Sequence, residues 1–314
     1  MSSPDQPRPI KAVPLRRPGR WVSAVVLLVV LGLFVYGAAT NDAYGWAVYR
    51  KYLFDQRISQ AALVTLALTA IAMVAAVVLG IVLAIMRRSD NLVLRGISWL
   101  YLWFFRGTPV YVQLVFWGLV TVIYKQWKFA VPFTGQAFDL DTTFATLNLQ
   151  SFGQEAIAPF VFACIGLALN EAAYMAEIVR AGFNSVDEGQ AEAAQALGMT
   201  RSQTTRRVVL PQAMRVIIPP TGNEVISMLK TTSLVVAVPY SGELYSKARE
   251  IAVPIFQPIP LLLVAATWYL AVTSVLMVGQ FFLERHYARG SSRAQAGRGV
   301  AAVAVPAQQG AGGG

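Results

Sequence analysis

Apolar residues fall along this chain in long unbroken runs, not with the helical or alternating periods of elements that face water on one side. A helix needs roughly 20 mostly apolar residues to cross hydrocarbon. Six runs approach that length: Trp21 to Ala39, Ala61 to Met86, Thr108 to Tyr124, Ile157 to Ile178, Gly222 to Tyr240 and Ile259 to Phe282. The pattern predicts an all-α integral membrane protein with six transmembrane helices. The first run follows Arg8, Lys11, Arg16, Arg17 and Arg20, as a signal peptide would. It is longer than a typical signal core, so a retained anchor is expected despite the cleavage-like Gly37-Ala38-Ala39. Residues 92–105 are apolar apart from Arg95 and are expected to lie along the interface. Thr108 is then expected to cap the third span, with Pro109 at its first helical position.

The polar positions between the runs set the orientation. Six spans place both termini on one side. With the N-terminus inside, segments 1–20, 87–106, 180–222 and 283–314 hold 18 Lys/Arg, against 7 in segments 40–57, 125–155 and 240–257. Cytoplasmic loops carry that excess, so an N-in, C-in topology is expected. Residues 1–20 contain five prolines and five basic residues, and 286–314 are mostly small or polar. Neither can bury a core, and both read as disordered cytoplasmic tails. Residues 21–57 are then an N-terminal helix with its external loop, and 58–285 the main membrane domain.

Composition narrows the chemistry. Hydrophobic residues make up 56% of the chain and charged ones 13%, against roughly 25% charged in soluble proteins. Cys164 is the one cysteine, which excludes an internal disulfide framework and a thiolate metal cage. His286 is the one histidine and follows the last run, so no multi-histidine metal site exists and a Ser-His-Asp triad would have to use that residue. No aspartate falls in any run, which disfavours an intramembrane enzyme. No catalytic residue and no metal ligand is expected. The net charge of +10 follows from the inside bias and calls for no nucleic acid.

The longest inside segment between spans is patterned as structure. Ser185-Val-Asp-Glu188 reads as a capping box, followed by strong helix formers through Leu197. Gly198 stands where a helix end takes a left-handed residue. Thr200-Arg-Ser-Gln203 reads as a second capping box, opening a short helix expected to stop at Pro211. A rigid helix–Gly–helix suits docking into a partner's cleft; a connector packed on the membrane face is the alternative.

Spelled out, the segment carries Glu192-Ala193-Ala194, three residues, Gly198, nine residues, then Val208-Val209-Leu210-Pro211. This resembles the pattern EAA-x3-G-x9-I-x-LP, with Val208 in place of the isoleucine: the EAA loop of inner-membrane permease subunits of bacterial ABC importers. Phe105-Arg-Gly-Thr-Pro109 with Val112-Gln113, Ala173 to Gly182, Pro211-Gln-Ala213, Gly222-Asn-Glu224 and Leu229 to Leu234 are similar to the polar amino acid branch (histidine, glutamate, glutamine, arginine and opine uptake). The resemblance covers residues 58–285, a five-helix permease core, and leaves 21–39 as an added helix. It implies a multi-pass subunit of the bacterial inner membrane that forms the translocation pathway with an identical or homologous second permease. A cytoplasmic ATPase dimer would hold ATP-Mg, and an external binding protein would deliver the amino acid. The coupling residues implied are Glu192, Ala193, Ala194, Gly198, Leu210 and Pro211 in a loop spanning 185–211. One feature agrees independently: no G-x-x-x-x-G-K-[ST] phosphate loop occurs, so this chain is expected to bind no cofactor itself. An ion-coupled secondary carrier working through Glu171 and Lys230 is the competing function.

The pathway candidates are Gln113, Glu171, Thr231, Thr232 and Ser233. A carboxylate in a span must face the pathway, a partner or a buried cation, so Glu171 is expected to meet substrate or its gate, to pair with Lys230, or to be reached by water at a helix end. Many chains that resemble this one carry aspartate where Thr231 stands. Its replacement removes an acidic charge and favours neutral or acidic cargo over arginine, lysine or histidine, unless Glu171 compensates. Trp99, Trp103, Trp117 and Trp268 are expected to be interface anchors or packing.

Overall fold

The computed structural model describes residues 18–124, 127–130, 143–147 and 157–288. The chain is built almost wholly from helices: α1 (Pro18–Thr40), α2 (Trp46–Tyr52), α3 (Gln56–Arg87), α4 (Leu92–Gly107), α5 (Val110–Ile123), α6 (Ala158–Asn184), α7 (Glu188–Ala196), α8 (Arg201–Thr204), α9 (Leu210–Thr231), α10 (Leu244–Ile255) and α11 (Pro258–Ala288). Two short strands in the loop between α5 and α6, β1 (Trp127–Ala130) and β2 (Thr143–Leu147), pair antiparallel with Trp127 opposite Leu147. The rest of that loop, most of both expected tails and their disorder lie outside the described residues. α1 and α11 reach a few residues into the stretches assigned to the tails.

Among the described residues, four helices are long and apolar enough to cross a membrane: Gly19–Thr40, Gln56–Arg87, Ala158–Asn184 and Pro258–Tyr287. A fifth crossing is available from α4 and α5 taken together, which meet at 103°. The corner differs from the expectation. Thr108 ends α4 instead of capping α5, and Pro109 is itself the N-cap. The cause is local: proline pushes the residue before it into extended backbone, and Thr108 sits at φ −112°, ψ 141°. The expected run from Gly222 to Tyr240 is also redrawn. Its helix starts at Leu210, ends at Thr231 and passes into a 3-10 turn over Thr232–Ala237.

The core is centred on α3 and α6. In lipid, water does not drive helices together, so close van der Waals contact must. Both helices meet that need with small residues every fourth position. Ala72, Ala76, Gly80 and Ala84 line one face of α3, and Ala168, Ala172 and Ala176 line α6; all are buried. At Gly80 the backbones come so near that an added Cβ would stand 2.6 Å from that of Met175. A second cluster joins α3, α10 and α11 through Ile58, Leu244, Ile251 and Leu261, with Tyr49 and Tyr52 of α2 packed against it. Trp268 Nε1 donates to the Leu53 carbonyl there at 2.8 Å. By contrast α1 is exposed along its length and is tied at its end by Trp46 Nε1 donating to the Ala38 carbonyl at 2.9 Å.

Candidate functional sites: the coupling loop and the buried carboxyls

The loop after α6 is held by short-range bonds. The first cap is Asp187, not Ser185: its carboxylate accepts from the Gly189 amide at 2.8 Å, while Ser185 Oγ turns back to the Gly182 carbonyl at 2.7 Å. α7 buries only Ala194 and presents Glu192 and Ala193 to solvent. Gly198 adopts φ +84°. Its amide donates to the Gln195 carbonyl at 2.9 Å and that of Met199 to the Ala194 carbonyl at 3.1 Å, the paired bonds of a Schellman ending. Nothing lies within 4 Å of an added Cβ at Gly198, so glycine serves backbone conformation there and not space. Thr200 and Gln203 close the reciprocal capping box as expected.

The second helix does not stop at Pro211. α8 passes through a π turn over Thr205–Val209 straight into α9, and Pro211 falls in the first turn of α9, where a missing amide is tolerated. Leu210 and Pro211 are exposed. The coupling loop is therefore continuous with the helix that carries Glu224, Lys230 and Thr231. Sequence reasoning missed one feature of its surface: Leu197, beside the turn, is 87% exposed. A lone leucine at a helix end carries no signal until the turn places it.

The membrane-side candidates divide. Gln113 is a bracing group at the α4–α5 corner. Its Nε2 donates to Thr108 Oγ1 at 2.7 Å and to the Thr108 and Phe105 carbonyls at 3.0 and 3.1 Å. Asn170 Nδ2, from α6, donates to the Phe105 carbonyl at 3.0 Å and to Gln113 Oε1 at 3.2 Å. Thr231, Thr232 and Ser233 donate their hydroxyls back to the carbonyls of Ser227, Leu229 and Lys230, and Thr232 is fully buried.

Glu171 is 7% exposed, and its Oε1 has no partner among the described residues. The ion pair with Lys230 is not formed. The acidic group that faces Glu171 is the carboxyl of Glu224, from α9. Lys230 is exposed and opens into a cavity of about 360 Å³ with Asn223, Ser227, Gln280 and Glu284. On the same face of that cavity, Gln280 Nε2 donates to the Pro219 carbonyl and to Glu284 Oε1, both at 2.8 Å. The remaining charge of α6 is explained: Glu177 pairs with Arg180 at 2.6 Å and with Arg106 at 3.7 Å, binding α4 to α6.

A further buried carboxylate escaped the sequence reading. Glu243 is fully buried at the start of α10, accepting from the Ser246 amide at 3.0 Å, from Ser246 Oγ at 3.3 Å, from Thr65 Oγ1 at 3.5 Å and from the Tyr269 hydroxyl. It joins α3, α10 and α11 at one point. No spacing in the sequence connects Thr65, Glu243 and Tyr269.

The comparisons agree with this architecture. Residues 76–289 match the model of the binding-protein-dependent transport system inner membrane component family. The arginine transport system permease protein ArgU of Corynebacterium glutamicum is 56% identical over 303 residues, 96% of this chain and 91% of that protein. The probable amino-acid permease protein YxeN of Bacillus subtilis is 34% identical over 72% of this chain and 89% of its own length. The nopaline permease NocM of Agrobacterium fabrum is 32% identical over 71% and 86%. Among solved structures, an amino acid ABC transporter crystallised with histidines aligns with a TM-score of 0.59 at 30% identity, covering 79% of this chain and 99% of that one. The MetNI methionine transporter shares the fold, with a TM-score of 0.51 at 15% identity over 73% of this chain and 95% of that one. These relatives give the ion-coupled carrier no support. The chain belongs to the binding-protein-dependent transport system inner membrane components: it is a multi-pass inner-membrane permease subunit of an amino acid ABC transporter, a transport subunit whose ATPase is a separate chain.

Proposed function

We propose that this permease passes a cationic amino acid, with the acidic pair Glu171 and Glu224 as the groups that favour it. The observation that carries the reading is the pair of facing carboxyls on α6 and α9, which Lys230 does not neutralise. Two acidic groups brought together in a low-dielectric site favour an added positive charge. This reverses the preference for neutral or acidic cargo drawn from Thr231: α9 brings Glu224 to Glu171, which restores an acidic charge from elsewhere. The 56% identical Corynebacterium relative is named for arginine, which supports the same class.

Membership of the family brings an ATPase and an external binding protein as partners. In the arrangement proposed, two ATPase subunits dock on the loops of two permeases through Glu192, Ala193, Ala194, Gly198, Leu210 and Pro211, with ATP-Mg held by the ATPases. Both termini face the cytoplasm; a reporter fused after residue 290 then acts as cytoplasmic and one placed in 125–155 as external. The cargo is tested by uptake of labelled arginine, glutamine and glutamate into proteoliposomes holding the complete complex and its binding protein. Arginine uptake that falls more than tenfold in Glu171→Gln with assembly intact is expected. Preferential uptake of glutamine or glutamate by the unmodified complex would overturn the cationic reading.

A further inference from the structure

A second cavity, of about 530 Å³, lies behind the coupling loop, where the ends of α3 and α6 meet α7 and α8. Ile85, Arg88, Ser89, Arg201, Thr204 and Val209 are among its walls, and no carboxylate lines it. Neither arginine is in an ion pair among the described residues. Arg88 is held over the Phe183 ring at 5.2 Å, with Nη1 donating to Asn184 Oδ1 at 3.4 Å. Thr204 is 2% exposed, and its hydroxyl has no partner among the described residues. A buried hydroxyl is normally satisfied, and one left alone in a native structure calls for an explanation. Here it lies on a cavity that holds two unpaired positive charges. Ile85, in the cavity wall, is exposed, and so are Ile81 and Val82 one turn before it on α3.

Two unpaired guanidinium groups and a buried hydroxyl beside exposed apolar residues of a spanning helix match a phosphate group attached to hydrocarbon. Arginine forks suit phosphate oxygens, and basic pockets between spanning helices on the cytoplasmic side take anionic lipid headgroups. We propose that this cavity binds the headgroup phosphate of an anionic phospholipid of the inner leaflet. Arg88 and Arg201 pair with its oxygens, the Thr204 hydroxyl donates to it, and the acyl chains lie along Ile81, Val82 and Ile85. Because Arg88 ends α3 while Arg201 and Thr204 sit on α8, the lipid would tie the coupling loop to the membrane domain. The proposal rests on the cytoplasmic placement of this face, which the reporter fusions above test separately.

The test is lipid retention by the complete transporter complex, purified in mild detergent and read by native mass spectrometry after exchange with phosphatidylglycerol or phosphatidylcholine. The unmodified complex should retain phosphatidylglycerol and release phosphatidylcholine. Arg88→Gln and Arg201→Gln should each lower retention about fivefold. Thr204→Val, which removes the hydroxyl without changing side-chain size, should lower it less. Arg88→Lys keeps the charge and should retain lipid, which separates charge loss from misfolding. Inorganic phosphate added alone should leave the lipid in place; displacement by phosphate would overturn the lipid as occupant. Equal retention by the unmodified complex and both glutamine variants, with the ATPase still bound, would overturn the site.

Discussion

The loop proposed to couple and the buried carboxyls proposed to favour the cargo are built in opposite ways. In the loop every defining contact joins residues a few positions apart: Asp187 to Gly189, Met199 to Ala194, Thr200 to Gln203. Around the carboxyls the partners come from distant parts of the chain: Glu171 faces Glu224, and Thr65 and Tyr269 converge on Glu243. A local device keeps its shape whatever it is joined to, so it can act as a handle for another protein. A long-range device exists only while the helix packing around it holds. Substitutions in the loop should therefore change coupling with the fold intact, and substitutions among the buried groups should act through the packing as well.

The largest effect is expected where helix packing itself is broken. Gly80→Leu forces a side chain into the α3–α6 contact, where the added Cβ alone would stand 2.6 Å from Met175 Cβ. Overpacking of this kind costs on the order of 1–3 kcal/mol or more. Thermal unfolding in detergent should show a clear drop or no folded permease; a wild-type midpoint would mean that the small-residue seam is not the core. Next comes Glu243→Leu, which leaves the Ser246 amide, Thr65 and Tyr269 without their acceptor, at roughly 1–3 kcal/mol per unsatisfied group. Glu243→Gln should recover part of that loss in the same melt.

Legibility follows the same division. The helical membrane fold could be read from run length, because the bilayer fixes how many apolar residues a span needs. Gly198 and the Thr200 capping box could be read because caps are set by neighbours in sequence. The α4–α5 corner was misplaced because Thr108 has the residue type of a cap, yet it bonds to the helix behind it: its Oγ1 donates to the Phe104 carbonyl at 2.9 Å. The end of the second loop helix was misplaced because Pro211 reads as a stop, whereas the π turn before it lets the helix continue. Nothing in the spacing of Gln113 shows that it braces the α4–α5 corner with Asn170, and nothing in the spacing of Glu171, Glu224 and Lys230 tells which two meet.

Smaller effects sharpen the contrast from the loop side. Thr200→Ala removes a reciprocal cap and should cost about 1 kcal/mol locally, seen as faster hydrogen exchange in residues 200–204 with the global melt unmoved. A lowered global melt would mean that the loop is part of the core. The smallest effect concerns Asp55 at the start of α3. Its carboxylate accepts from Arg57 Nε and Nη2 at 3.0 and 2.9 Å. That bond, with the nearby Arg57 charge, holds its pKa below the ordinary carboxylate range. A lowered pKa means that the stabilisation is present at neutral pH and is lost as pH falls below about 4 through the lowered value. Protection of the first-turn amides of α3, measured relative to their intrinsic exchange, should fall only in that acid range, and should not vary with pH in Asp55→Asn.

The separation of coupling from passage is tested most directly in one preparation: the complete complex in proteoliposomes, with ATP hydrolysis and amino acid uptake followed together for Gly198→Asp. Aspartate at φ +84° strains the Schellman turn by about 1 kcal/mol or more. It also sets a new charge beside Leu197 on the surface proposed to dock the ATPase, where nothing lies within 4 Å of the added Cβ. The expected result is a folded permease whose uptake falls much further than its hydrolysis, or which no longer holds the ATPase, with Glu192→Ala changing the ratio in the same direction by less. Wild-type complex formation together with a wild-type uptake-to-hydrolysis ratio in Gly198→Asp would contradict it, and would leave the loop a passive connector.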